Sequence, residues 1–358
     1  MTECDFLLVG HGIAGAMLAE SLRNRGQRVL VYDLPNPNSA SNVAAGLMNP
    51  VAGKRFALSW QAAALLPAAA TAYRALGQRL GLDFFTEALI FKAFGSAQEQ
   101  QQMLTRSAEN PWQGFVQAIT TADPALPGVL APHGGAWLQH GGHVAVAPLL
   151  AALAAEGQTA GWLRLAAFDW AALLPTADGR LNYADQVLAR HVVCCEGAAA
   201  KTNPYFNWLP LTPNQGEVLD VDCPGLSQAQ VLNRAAYVVP MGGSRFRVGA
   251  TYRWPPFAES ITDEALTELS SRLAGLTPLP FAVLGQRAGV RPAVYDRRPL
   301  LGRHPAHPWL SFCGGYGSKG VMLAPLLSEQ LAAHLLHGAA LWPEADLGRC
   351  VAKHYSIS

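Results

Sequence analysis

FLLVGHGIAG, residues 6–15, is a short apolar run that breaks into a glycine-rich turn. Phe6-Leu7-Leu8-Val9 reads as a buried strand, and the pattern after Gly15 reads as a helix carrying Ile13, Leu18 and Leu22 that stops before Gly26. Arg28-Val29-Leu30-Val31-Tyr32-Asp33 then reads as a second buried strand ending in an acid. Strand, glycine turn, helix and acidic second strand together form the unit that holds a dinucleotide pyrophosphate on a helix N-terminus. Gly10 permits the turn, Gly12 lets the backbone approach the phosphates, and Gly15 lets the helix pack closely. Asp33 stands where a ribose would donate hydrogen bonds. The unit does not separate FAD from NAD, because both present the same adenosine diphosphate to the turn.

The bulk numbers fit a folded protein with a large core: 358 residues, 50% hydrophobic and 14% charged. Lys plus Arg number 26 and Asp plus Glu 25, so no global field favours nucleic acid or an acidic membrane surface. Met1-Thr2-Glu3-Cys4-Asp5 lacks the basic start of a signal peptide. No apolar run reaches the ~20 residues of a bilayer span, and the Ala-rich stretch 62–72 is interrupted by Pro67. Six cysteines without a Cys-x-x-Cys pair point to reduced core thiols. The expectation is a cytoplasmic protein without a membrane span. His140 and His143 flank two glycines with no acid or thiol beside them, so no metal site is expected.

Further along, a polar loop (34–42) leads to Val43-Ala44-Ala45-Gly46-Leu47-Met48-Asn49-Pro50 and a helix over 60–80. Residues 83–94 look like a strand, and a shorter helix has Pro148 in its first turn and Gly157 past its end. Residues 190–195 form another buried strand, placed as a late addition to the first sheet. Between 215 and 254 the pattern changes to antiparallel strands, with Gly242-Gly243 marking a hairpin. Strand 309–313 runs into Gly314-Gly315-Tyr316-Gly317-Ser318-Lys319-Gly320 and a final helix over 321–336. The expected fold class is α/β. A Rossmann-like nucleotide-binding domain (1–55, 140–205, 286–358) is interleaved with a mixed, mainly antiparallel α+β substrate domain (56–139, 206–285).

Four separated blocks carry a resemblance: GHGIAG with Asp33; VAAGLMNP; YVVP followed by VGATY; and GVRP followed by LLG and GGYGSKGVMLAP. In this order they resemble the D-amino acid oxidase and glycine oxidase family of FAD-dependent amine oxidoreductases. The resemblance implies FAD bound by Gly10, Gly12, Ile13, Ala14, Gly15 and Asp33. Ala45, Gly46 and Leu47 would border the isoalloxazine ring, and Met48 and Asn49 would reach the substrate side. Gly197 would follow the middle strand. Gly315, Gly317, Ser318, Lys319, Gly320 and Val321 would aim backbone amides at the charge on the reduced ring. Arg291 would grip a substrate carboxylate through paired hydrogen bonds, joined by Tyr237. Lys319 is expected to be an exposed lysine, and Lys54 and Arg55 are expected to be solvated. The covalent-flavin branch has a cysteine near the Arg-Pro segment; none occurs over 290–302, so FAD is expected to be non-covalent. Glu196, after Cys194-Cys195, departs from the family's small residues and is expected to cap a loop.

The implied activity is oxidation of a small amine or amino acid of glycine, sarcosine or D-amino acid type, by hydride transfer to flavin N5. Oxygen or another acceptor would take the electrons. Two alternatives stand: a flavoenzyme acting on an aminomethyl group of modified tRNA, and a flavin-binding subunit without its own turnover. Balanced charge argues against a nucleic-acid partner. Substrate identity, acceptor and oligomeric state are not legible.

Overall fold

The computed structural model describes residues 1–53, 56–124, 126–258 and 260–355. Lys54 and Arg55 lie outside the described residues. In chain order the principal elements begin with β1 (Thr2–Val9), α1 (Ile13–Arg23), β2 (Val29–Asp33) and α2 (Ala62–Leu80). They continue with β3 (Ile90–Ala93), β4 (Val116–Thr120), β5 (Gly135–Leu138), α3 (Val146–Thr159), β6 (Leu163–Leu165) and β7 (Val187–Cys194). Next come β8 (Asn214–Asp222), β9 (Val231–Asn233), β10 (Tyr237–Pro240), β11 (Arg245–Gly249) and α4 (Asp263–Ala274). The last are β12 (Ala282–Arg291), β13 (Leu300–Arg303), β14 (Leu310–Gly314) and α5 (Gly320–His337).

Two compact units form, Met1–Asn42, Val146–Asn214 and Val290–Ser358 in one, Val43–Ala145 and Gln215–Gly289 in the other. The segments 43–55, 140–145 and 286–289, grouped by sequence with the nucleotide-binding domain, cluster with the second unit, and 206–214 with the first.

In the first unit, β6, β2, β1, β7 and β14 lie side by side in parallel. Chain segments about 180 and 300 residues from β1 thus complete the sheet that β1 begins. Leu7 and Leu8 are both fully buried, so both faces of β1 are covered. That is why the strand reads as an unbroken apolar run rather than an alternation. Helix α1 buries Ile13, Leu18 and Leu22 and packs on α5. Helix α3 runs through Gly157 instead of stopping before it. A Cβ there would sit 2.7 Å from the Trp162 ring, so the glycine makes room for an indole and does not end the helix.

In the second unit the order is β12-β8-β11-β10-β9-β3-β5-β4. Strand β9 pairs with β3 in parallel, whereas β8–β11, β9–β10, β10–β11, β3–β5 and β4–β5 are antiparallel. The expected hairpin joins β10 to β11, with Gly242 and Gly243 both at positive φ. Alternation along these strands sorts two cores. Leu219, Val221, Leu232, Val238, Phe246 and Val248 face α4 through Leu269 and Leu273. On the opposite face Ile90, Ala136, Leu138, Val231 and Val239 are covered by Ala45, Val51 and Phe56. The loop after residue 43 is therefore the cover of this second face, which explains its place in the second unit. No described helix is long and apolar enough to cross a membrane.

Candidate functional site

Ligands of open α/β sheets bind outside the carboxyl ends of the strands. At that edge the first unit gathers four separate stretches of sequence. Beyond β1, the Gly10 turn sits so close to the end of β7 that a Cβ on Gly10 would lie 2.6 Å from the Cys195 carbonyl oxygen. A Cβ on Gly15 would lie 2.0 Å from the Gly10 carbonyl oxygen and 3.1 Å from the Cys195 Cβ. Helix α1 starts at the Gly12 cap with no side-chain cap of its own and no acid in its first turn. Its positive end is left available to an anion.

Asp33, at the end of β2, accepts a hydrogen bond from the His11 backbone N–H at 2.9 Å through Oδ1. Burial raises the Asp33 pKa, against the His11 N–H that lowers it. Such a carboxylate gains from further donors, as ribose hydroxyls would be. The His11 ring packs 5.9 Å from Trp162, and its Nε2 has no hydrogen-bond partner. Burial brings its pKa down to about 4, so the imidazole is neutral at neutral pH and adds no charge at the turn. The sequence reading missed Ser41, whose Oγ accepts from the Ile13 N–H at 3.1 Å. Its only signal was a serine in the polar loop after β2. A Cβ on Gly12 would lie 3.2 Å from that same Ser41 Oγ, so the bare Gly12 backbone, the spare Asp33 oxygen and the first-turn amides beyond Ile13 fit a dinucleotide.

Gly197 follows β7 at φ 60°, and a Cβ there would lie 4.0 Å from Pro292 Cγ. Pro292 in turn accepts from the Gly317 N–H at 3.0 Å, and a Cβ on Gly320 would lie 3.0 Å from Ile13 Cγ2. The Arg291 turn, the Gly315–Gly320 turn and the start of α1 are therefore neighbours. Arg291 donates from one terminal nitrogen to Asn214 Oδ1 at 2.9 Å, which ties down one end of the guanidinium. Helix α5 also starts without a side-chain cap or an acid in its first turn, at Gly320 and Val321. Ser318 is exposed.

Lys319 corrects the expectation of an exposed side chain: it is half-buried. Its pKa falls to about 8, first through burial and then through Arg298 and Arg297. Glu196 accepts from Trp170 Nε1 at 3.1 Å and from Asn203 Nδ2 at 2.6 Å, and the Cys194 thiol donates to it at 3.1 Å. It braces the loop after β7 from within. Glu196→Ala is expected to lower stability by about 1–3 kcal/mol, by leaving those donors unpaired, with cofactor uptake intact. Thermal unfolding monitored alongside visible absorbance checks this, and an unchanged midpoint would contradict it.

In the second unit, Gly46 has φ 69°, and a Cβ there would overlap the Val144 carbonyl oxygen at 1.8 Å. The Gly46 carbonyl accepts from the Val144 N–H at 3.0 Å, and Leu47 and Met48 pair with His143 and Gly142. Ala45 and Met48 are buried, and Leu47 is half-buried. Asn49 Oδ1 accepts from the Val51 N–H at 3.0 Å, so this carboxamide braces the turn. Arg247, paired with Asp220 at 2.7 Å, donates to the Ala44 carbonyl at 3.0 Å. Its signal in the sequence was a charge inside an apolar strand, Phe246-Arg247-Val248. Half-buried Tyr237 lies across Gly249 of the neighbouring strand. Among the described residues, no three or more His, Cys, Asp or Glu could hold a metal ion, and all six cysteines are free and buried.

A family model described as FAD dependent oxidoreductase matches residues 5–334. The chain is 28% identical to a glycine oxidase of Geobacillus kaustophilus (strain HTA426), over 90% of each protein. It is 30% identical to the tRNA 5-methylaminomethyl-2-thiouridine biosynthesis bifunctional protein MnmC of Azoarcus sp. (strain BH72), over 95% of this chain. The chain spans only 56–58% of the length of four such bifunctional relatives. The crystal structure of the glycine oxidase from Geobacillus kaustophilus superposes with a TM-score of 0.80 at 25% identity, covering 95% of this chain and 96% of that one. Family match, fold and the fit of the nucleotide-binding turn agree: this chain belongs to the FAD dependent oxidoreductases of the D-amino acid oxidase and glycine oxidase type, with FAD as a non-covalent cofactor.

Proposed function

We propose that this enzyme oxidises a small amine or amino acid that carries a carboxylate, with oxygen or another acceptor taking the electrons. One observation carries the reading: the turn bearing Arg291 is hydrogen-bonded, through the Pro292 carbonyl, to the Gly317 amide ahead of α5. A planar donor for a carboxylate and an amide-rich helix start are thereby fixed in one rigid turn pair. FAD, when bound, supplies the two-electron acceptor for the amine C–H bond.

The protein's own part is orientation and charge. Gly10 to Gly15 and Asp33 hold the nucleotide end, while Gly197 closes the loop after β7. Ala45, Gly46 and Leu47 offer short side chains to a flat ring, and Met48 and Asn49 bound the substrate side. Arg291 and Tyr237 hold the carboxylate, which removes the entropy cost of finding a reactive geometry. The start of α5 at Gly320 and Val321 opposes developing negative charge, the Gly317 and Lys319 N–H groups being held by the Pro292 and Tyr316 carbonyls, and Lys319 adds a cation that its lowered pKa lets it lose near pH 8. Buried, unpaired cysteines support work in the cytoplasm.

A second reading is favoured by the bifunctional tRNA-modifying relatives, namely an aminomethyl group on a modified tRNA as the substrate. An anaerobic screen separates the two. Purified enzyme is mixed with glycine, sarcosine, proline, D-amino acids, or tRNA bearing aminomethyl uridines, and flavin absorbance is followed. Bleaching by a free amino acid is the expected result. Bleaching by tRNA alone would replace the first reading with the second, and bleaching by none would reject both.

A further inference from the structure

Four adjacent strands of the second unit place one residue each in a single row on the same face of the sheet. Gly249 of β11 lies opposite Tyr237 of β10, Tyr237 opposite Asn233 of β9, and Asn233 beside Lys92 of β3. Neighbours in such a row stand about 5 Å apart, within direct side-chain reach.

At one end, a Cβ on Gly249 would meet Tyr237 Oη at 2.5 Å and Cζ at 2.7 Å, with Val218 Cγ1 at 2.9 Å beyond. Gly249 does not have the positive φ that calls for glycine. Space is what opposes a side chain there: first the phenol lying on the bare backbone, then Val218 Cγ1. At the other end, Lys92 is 6% exposed in the middle of an apolar strand. Burying an ammonium is costly unless it is fully engaged. Its Nζ donates to Asn233 Oδ1 at 2.9 Å and approaches the Arg234 carbonyl at 3.4 Å, with the Phe56 ring 5.7 Å away. Burial lowers the Lys92 pKa, with the Glu99 carboxylate opposing that shift, and the carboxylate is itself bonded to the Gly95 N–H at 2.7 Å. The oxygens that Lys92 holds belong to the last residue of β9 and to the first of the turn into β10, which is closed by the Arg234 N–H on the Ala236 carbonyl at 2.9 Å. Tyr237 is the first residue after that turn.

We propose that Lys92 and Gly249 are positioning residues that seat Tyr237, the lysine by clamping the turn that delivers it and the glycine by leaving the floor on which its phenol rests. The seat sets where the hydroxyl stands and contributes no contact to the substrate. The inference rests on the reading of Tyr237 as a carboxylate ligand.

The test uses FAD-loaded enzyme and acetate as an unreactive carboxylate, with binding followed by the change in flavin absorbance. Gly249→Ala is expected to weaken acetate binding at least tenfold, and Lys92→Met several-fold, each with unchanged FAD content. In a Tyr237→Phe background, Gly249→Ala is expected to add less than twofold, because the hydroxyl it displaces is already gone. The 13Cζ resonance of labelled Tyr237, assigned by its loss in Tyr237→Phe, is expected to move in both seat variants. Full additivity with Tyr237→Phe, or wild-type affinity in Gly249→Ala, would overturn the seat, as would an unmoved resonance. Wild-type affinity in Tyr237→Phe together with moved resonances would instead leave the seat standing and remove the tyrosine's assigned ligand.

Discussion

Arg291→Ala should raise KM for a carboxylate-bearing amine by 10²–10³-fold while the purified protein keeps its yellow colour and its FAD content. Removing one member of a desolvated charge pair costs about 2–5 kcal/mol, and each 1.4 kcal/mol is a factor of ten. The effect should fall on substrate binding, because the Arg291 turn reaches the Gly317 amide through the backbone Pro292 carbonyl, which the substitution leaves in place. Asn214 holds one terminal nitrogen, which restricts where the group can meet a ligand. A lysine cannot reproduce two parallel donors, and Arg291→Lys should recover less than a tenth of the lost affinity. Steady-state kinetics with FAD quantified on each preparation would check this. An Arg291→Ala enzyme with wild-type KM would show that the carboxylate is held elsewhere.

The second large effect belongs to the nucleotide turn. Gly15→Val should yield a colourless protein, destabilised by about 3 kcal/mol or more, since overpacking against backbone has no flexible neighbour to yield. The atoms in the way are the Gly10 carbonyl oxygen at 2.0 Å and its carbon at 3.0 Å, with the Cys195 Cβ at 3.1 Å. Relief requires α1 to move off the strand ends, which carries its first amides away from a pyrophosphate. Gly26→Ala is the matched control: its φ is 74° but no atom lies within 4 Å of a Cβ. It should cost about 1 kcal/mol and retain FAD. Denaturant unfolding and cofactor content distinguish the two variants. A yellow, stable Gly15→Val would contradict the packing argument.

Much of the site was legible as local pattern. The β1–α1–β2 unit, the 242–243 hairpin and the strand-to-helix turn at 314–320 each depend on residues within a few positions of one another. Turn chemistry and periodicity report such elements directly. Four residues show where that reading stops. Gly157 carries the mark of a helix end, yet it lies inside α3 because Trp162 needs the space. Lys319 has the composition of a surface residue, yet Arg297 and Arg298 crowd it in a half-buried place. Arg247 and Lys92 interrupt apolar strands without announcing that Asp220, Ala44 and Asn233 will satisfy them.

By itself the sequence determined that residues 10–15 form a glycine turn of the dinucleotide-binding kind, that parallel and antiparallel segments alternate along the chain, and that FAD chemistry is the family's business. Only the tertiary structure decided that residues 10–15, 197, 292 and 315–320 meet beyond the strand ends of the first unit's sheet, and that Ala45, Val51 and Phe56 cover one face of the second unit's sheet. It also decided which charges are buried. The reason is range: a turn or a helix start is encoded by neighbours, whereas the partner of a buried polar group lies tens to hundreds of residues away and is set by strand register.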